Sequence, residues 1–136
     1  MTTKPLPTAA GCTLHDVGHD WDVIRVPRSV GLSVVGILGR HCGAVVEDSV
    51  RSVVYFFTPV GAAGVWAVEN TLAMGAGWTV TIPPARRTEG PGSYWRVCPG
   101  DGGWLTDPDI LRTAIGDAFG LPVGQVGLSA GSDGTA

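Results

Sequence analysis

His15, Asp16, His19, Asp20 and Asp22 crowd imidazoles and carboxylates into one short stretch. Two histidines four apart bind zinc when a helix carries both rings on one face. Three aspartates offer oxygens to a hard cation. Gly18 stands between the histidines, however, and no apolar periodicity supports a helix there. Calcium needs six or more oxygens in a defined loop, and the glycine and glutamate of an EF-hand are missing. The stretch reads as a solvated loop entering a strand, so no metal is assigned.

A second candidate is basic. Arg86-Arg87 stands near Gly90-Pro91-Gly92. Guanidinium forks match phosphate oxygens, and glycines let a backbone approach an anion closely. Tyr94, Trp95 and Arg96 join this candidate phosphate or nucleic-acid site if residues 78–82 pair with 93–97. The competing reading is a charged hairpin tip that Glu89 partly neutralises. Five tryptophans suit core or interface packing. Single-strand binders interleave aromatic with basic residues, and only Trp95-Arg96 does so here.

Catalytic arrangements are sparse. Gly127-Leu128-Ser129-Ala130-Gly131 matches the letters GxSxG but lacks the strand–turn–helix that a nucleophile elbow requires. His41-Cys42 is adjacent in sequence, which does not make a dyad in space. Cys12, Cys42 and Cys98 are odd in number and far apart, with no CxxC pair. Neither a disulfide framework nor a zinc ribbon follows, and reduced thiols in a cytoplasmic protein are expected. No catalytic residue and no cofactor is assigned.

The elements that must position these groups follow from composition and periodicity. At 136 residues, 44% hydrophobic and 15% charged, the chain supports one core, and the composition excludes a wholly disordered protein. A net charge of −3 argues against coating nucleic acid by bulk electrostatics. No apolar run approaches the length of a membrane span, and the N-terminus lacks the pattern of a signal peptide. Gly 21 and Pro 10 imply many tight turns.

A loose arm is expected over 1–18, one domain over 19–120 and a flexible tail over 121–136. Residues 21–26 read as a strand. Val30, Val34, Ile37 and Leu38 mark one face of a helix over 28–38, with Pro27 before it and Gly39 after it. Residues 43–46 and 52–58 read as a hairpin around the polar turn Glu47 to Arg51. Short strands follow over 65–68 and 72–74, then 77–82 and 93–97. Asp107-Pro108 opens a second helix with Ile110, Leu111, Ala114, Ile115 and Phe119 on one side. The sum is an α+β domain, a largely antiparallel sheet with two helices.

Gly75 to Gly90, with Pro83-Pro84 at its middle and Tyr94-Trp95 beyond, is the most distinctive stretch. It resembles a segment in the N-terminal domain of bacterial and plasmid bifunctional DNA primase/polymerases. Val54-Tyr55-Phe56-Phe57-Thr58-Pro59 is similar to that domain's "H-x-Y-F-x-x-P" strand, and the resemblance covers roughly 20 to 98. The family holds its divalent metals with an acidic D-x-D pair. Here Asp22-Val23-Ile24 puts isoleucine at the second carboxylate, Val53 falls at the strand histidine, and Arg87 falls near the loop histidine. Two-metal chemistry needs several carboxylate oxygens, and one Asp does not supply them. The resemblance therefore implies a degenerate, non-catalytic member. Such a domain binds nucleotide, nucleic acid or a replication-associated partner, with the Arg86-Arg87 loop as its contact. The alternative is a small cytoplasmic regulatory or protein-interaction module acting as a homodimer. Low charge, many tryptophans and a sheet face in need of cover point that way.

Overall fold

Pro27 closes one strand and opens a helix, and the architecture is built around that junction. The computed structural model describes residues 6–7, 11–90, 92–100 and 103–120. The chain begins with β1 (Leu6–Pro7), β2 (Thr13–Asp16), β3 (Asp22–Pro27) and α1 (Arg28–Leu38). A 3-10 turn (Gly39–His41) leads to β4 (Val45–Asp48), β5 (Val53–Thr58) and α2 (Ala62–Val65). There follow β6 (Leu72–Met74), β7 (Thr79–Ile82), β8 (Ser93–Val97) and α3 (Pro108–Gly120). Every strand pairing is antiparallel, and the α+β class read from the sequence holds.

The larger sheet has the order β6-β3-β5-β4-β8. β3 and β4, joined through α1, run parallel with β5 inserted between them. β5 and β6, joined through α2, flank β3 in the same way. These are two split β-α-β crossovers, the ferredoxin-like arrangement, and β8 extends it at the β4 edge. α3 lies beside α1 on one face. The smaller sheet, β1-β2-β7, covers the other.

Two cores result. Ile24, Val26, Val45, Val54 and Phe56 meet Val34, Leu38, Leu111, Ala114 and Ile115 on the helix side. Val23, Val46, Tyr55, Phe57 and Trp95 meet Val17, Val80 and Ile82 on the other. A strand buried on both faces needs no polar alternation, which accounts for the run VVYFFT in β5. Gly31 lets α1 approach closely, since a Cβ there would lie 2.0 Å from Val54 Cγ2. Asp107 caps α3, its Oδ1 accepting from the amides of Asp109 at 2.8 Å and Ile110 at 3.3 Å.

The structure departs from the sequence reading in several places: a second sheet and a short third helix, α2, join the expected sheet and two helices, and Ile37, expected on the buried face of α1, is exposed. Thr13–Asp16, expected in a loose arm, is a strand because β7 offers it a partner. β7 therefore pairs with β2 and not with residues 93–97. Glu47 and Asp48 complete β4 instead of forming the turn. Residues 65–68, expected as a strand, hold the end of α2 and the loop after it. Ile110 and Phe119 stay exposed, off the buried face of α3. The tail expected over 121–136, with its Ser129 motif, lies outside the described residues. No helix among the described residues is long and apolar enough to cross a membrane.

Candidate functional site

Alternation along β4 sends Val46 toward the smaller sheet and Glu47 toward the helices. Glu47 is fully buried there and is the only charged side chain among the largest fully buried ones of the described residues. Tyr94 stands opposite it in β8. Between β4 and β8 the register shifts, with Val45 opposite Val97 but Val46 opposite Trp95. Arg96 is thus the extra residue of a β-bulge, a device that re-aims side chains. It joins Tyr94 on the helix face.

Arg96 donates from Nε at 2.9 Å and from Nη2 at 2.6 Å, both to Glu47 Oε1. Arg28 Nε donates to Oε2. Arg28 is the first residue of α1, and its backbone N–H is fixed by Ser52 O at 2.9 Å. The Arg96 guanidinium lies 5.9 Å from the centre of the Tyr94 ring. Burial opposes a charge on Glu47, but hydrogen bonds from Arg28, Arg96 and Tyr94 outweigh it and hold the carboxyl below its usual range. Burial and the neighbouring Glu47 push the Tyr94 hydroxyl up. The Glu47 hydrogen bond raises both arginines. One carboxylate thus holds two guanidiniums whose side chains remain 46% and 37% exposed, and the cluster carries a net positive charge.

More arginines gather at this corner. Asp48 Oδ1 accepts from the amides of Val50 at 3.0 Å and Arg51 at 3.1 Å, which shapes the β4–β5 turn. Ser49 ties that turn to the loop before β8, its amide and hydroxyl both donating to Gly92 O at 3.3 and 3.2 Å. In the same loop Arg86 is exposed with φ 69. The carbonyl of Arg87 accepts from Trp95 N at 2.7 Å, holding the loop against the outer edge of β8.

The five sequence-predicted residues therefore divide. Arg86 and Arg87 reach the β8 edge through a backbone bond, because Val80 and Ile82 commit β7 to the smaller sheet. Tyr94 and Arg96 face the helices. Trp95 faces the opposite core, donates Nε1–H to Pro84 O at 3.1 Å and meets Trp104 edge-on at 5.2 Å. Trp21 and Phe57 complete that aromatic cluster, with Trp21 stacked 6.0 Å from Trp104.

The acidic residues do not converge. Asp22 pairs with Thr58 across β3 and β5, whereas Glu47 pairs with Val54, four residues away along β5. Asp48, next to Glu47 in the strand, points to the other face. Ile24 is buried under the helices, and Val53 pairs with Pro27 at the far end of β3 from Asp22. His15 Nε2 lies 2.9 Å from Thr13 Oγ1, and His19 and Asp20 are exposed. Among the described residues, no group of three or more His, Cys, Asp or Glu could hold a metal ion. Burial pushes the Cys42 thiol up to about 11, which makes it a poor nucleophile.

Sequence reasoning missed Arg28, Glu47 and Arg51. One signal was available. A cation in the first turn of a helix opposes the positive end of the helix dipole. Arg28 follows Pro27 at that point, and such a residue calls for a carboxylate from elsewhere in the fold.

No family model matches the chain, and no curated protein and no solved structure matches it.

Proposed function

We propose that this is a non-catalytic domain that binds a phosphate-bearing ligand, a nucleotide or single-stranded nucleic acid, at the arginine corner of its larger sheet. The observation that carries the reading is the pair Arg28 and Arg96. Both are anchored on one buried carboxylate, and both stay partly open to solvent. Anchoring removes rotamer freedom in advance, so less entropy is lost when a phosphate arrives. Arg51, paired with Asp48 at 3.6 Å, and the Arg86-Arg87 loop on the outer edge of β8 lie at the same end of the sheet. Counted locally, five arginines face Glu47, Asp48 and Glu89, an excess of two positive charges on a chain of net −3. Tyr94, beside the guanidiniums, supplies a ring on which a base can stack. The primase/polymerase-like resemblance of residues 20–98 agrees with such a ligand.

Fluorescence anisotropy of a labelled oligonucleotide at low and at physiological salt tests the proposal. Binding is expected at low salt and weakens as salt rises, as phosphate contacts require. Arg86→Ala with Arg87→Ala is expected to weaken it by roughly tenfold or more, since each lost charge contact costs about 1 kcal/mol. Absence of binding at low salt, or binding that the double variant leaves unchanged, removes the proposal. A homodimer keeps one observation in its favour, the exposed Ile37 and Ile110 on α1 and α3. The sheet face expected to need a partner is covered by β1-β2-β7. Light scattering showing a monomer removes the dimer.

A further inference from the structure

Asp22 is the second deeply buried carboxylate, 3% exposed at the start of β3. Its Oδ2 accepts from the amides of Gly61 at 2.9 Å and Ala63 at 3.0 Å. Its Oδ1 receives no donor from the described residues, and no lysine, arginine or histidine among them pairs with it. A buried carboxylate oxygen left without a donor is costly. Asp22 lines a cleft of about 390 Å³, and every other residue lining it is glycine, alanine or valine. A Cβ built on Gly75, one of those residues, would stand 4.0 Å from Oδ1.

The chemistry of the missing donor follows from this geometry. One oxygen lacks a donor from the described residues, so the bidentate fork of a guanidinium is poorly matched. A divalent metal needs several oxygens, and Asp22 brings one. A phosphate or carboxylate would be repelled. Apart from Asp22 the cleft is lined by no charged residue, so nothing in its lining repels a cation. The small apolar walls suit an alkyl chain. We infer that the Asp22 cleft binds a small primary alkylammonium ion, its N–H donated to Oδ1 and its carbon chain laid against Val60, Ala63 and Ala76. This site is separate from the arginine corner, and its ligand has the opposite charge.

Amide chemical-shift mapping of the folded chain with n-butylammonium tests it, with n-butanol as the neutral comparison at equal ionic strength. Saturable shifts are expected at Gly61, Ala63, Gly64 and Gly75 with the ammonium and not with the alcohol. Asp22→Asn presents an amide in place of the carboxylate and is expected to abolish them. Gly75→Ala keeps the proposal testable should that variant fail to fold. Its methyl would meet Ala63 Cβ at 3.5 Å, an ordinary contact, while intruding on the approach to Oδ1. It is expected to weaken binding by roughly tenfold. Equal shifts with butanol, no saturable shift with butylammonium, or wild-type affinity in Gly75→Ala would each overturn the inference.

Discussion

Glu47 and Asp22 are carboxylates buried on the same face of the same sheet, and the fold treats them differently. Glu47 receives three side-chain hydrogen bonds from two arginines, so both of its oxygens are satisfied by charge. Asp22 receives two backbone amides on one oxygen and nothing from the described residues on the other. Burial of a charge is tolerated when it is paired and hydrogen-bonded. Glu47 meets that condition within the chain and so acts as a scaffold, fixing two partly exposed cations, which the proposed function sets against an anionic ligand. Asp22 meets it only in part, and the residue lines a cleft. The lesson is that burial alone does not mark a functional carboxylate. What decides is which lone pairs the protein has already used.

The largest expected effect tests the saturated site. Arg96→Ala removes both arginine contacts to Oε1 and leaves an inaccessible carboxylate with Arg28 and Tyr94 as its remaining partners. About 3 kcal/mol of stability should be lost, read from the midpoint of urea unfolding. Asp22→Ala deletes the acceptor for two amides at the start of α2 but also removes a half-paired buried charge. About 1 kcal/mol is expected there, with Asp22→Asn regaining most of it. Equal losses at the two positions would break the contrast. The acid dependence sharpens it further. Because the folded Glu47 carboxyl lies below its ordinary range, the unfolded chain binds more protons between the two values. Its contribution is therefore complete above the ordinary glutamate value of about 4.3 and is lost as pH falls through the folded value. Thermal unfolding across the acid range should show Glu47→Gln losing less stability with acid than the parent does. Parallel curves for the two proteins would contradict the assignment of that pairing.

Local physics was written plainly in part of the sequence. The three- and four-residue steps of α1, the Asp107-Pro108 start of α3 and the apolar density of β5 each reflect interactions within one segment. Thr13–Asp16 was illegible because TLHD carries only one large apolar residue, and its strand exists through its partner β7. Glu47 and Asp48 looked like a turn because polar residues between β-branched runs usually are one. Their place in β4 depends on pairing with β5 and β8. The candidate site shared that fate. Arg86, Arg87, Tyr94 and Arg96 were visible as residue types, whereas the meeting of Arg28, Glu47 and Arg96 is set by a bulge and a crossover helix. Trp95 was chosen for its neighbour Arg96, and strand alternation sends the two to opposite faces.

The claim that matters most is that the arginine corner receives phosphate. Amide shift mapping with a short oligothymidylate at low salt measures it directly. The account predicts saturable shifts at Arg28, Ser52, Gly92 and Arg96 that fade as salt is raised, with Gly61 and Gly75 unmoved. Shifts centred on Gly61 and Gly75, or no saturable shift at all, would contradict it.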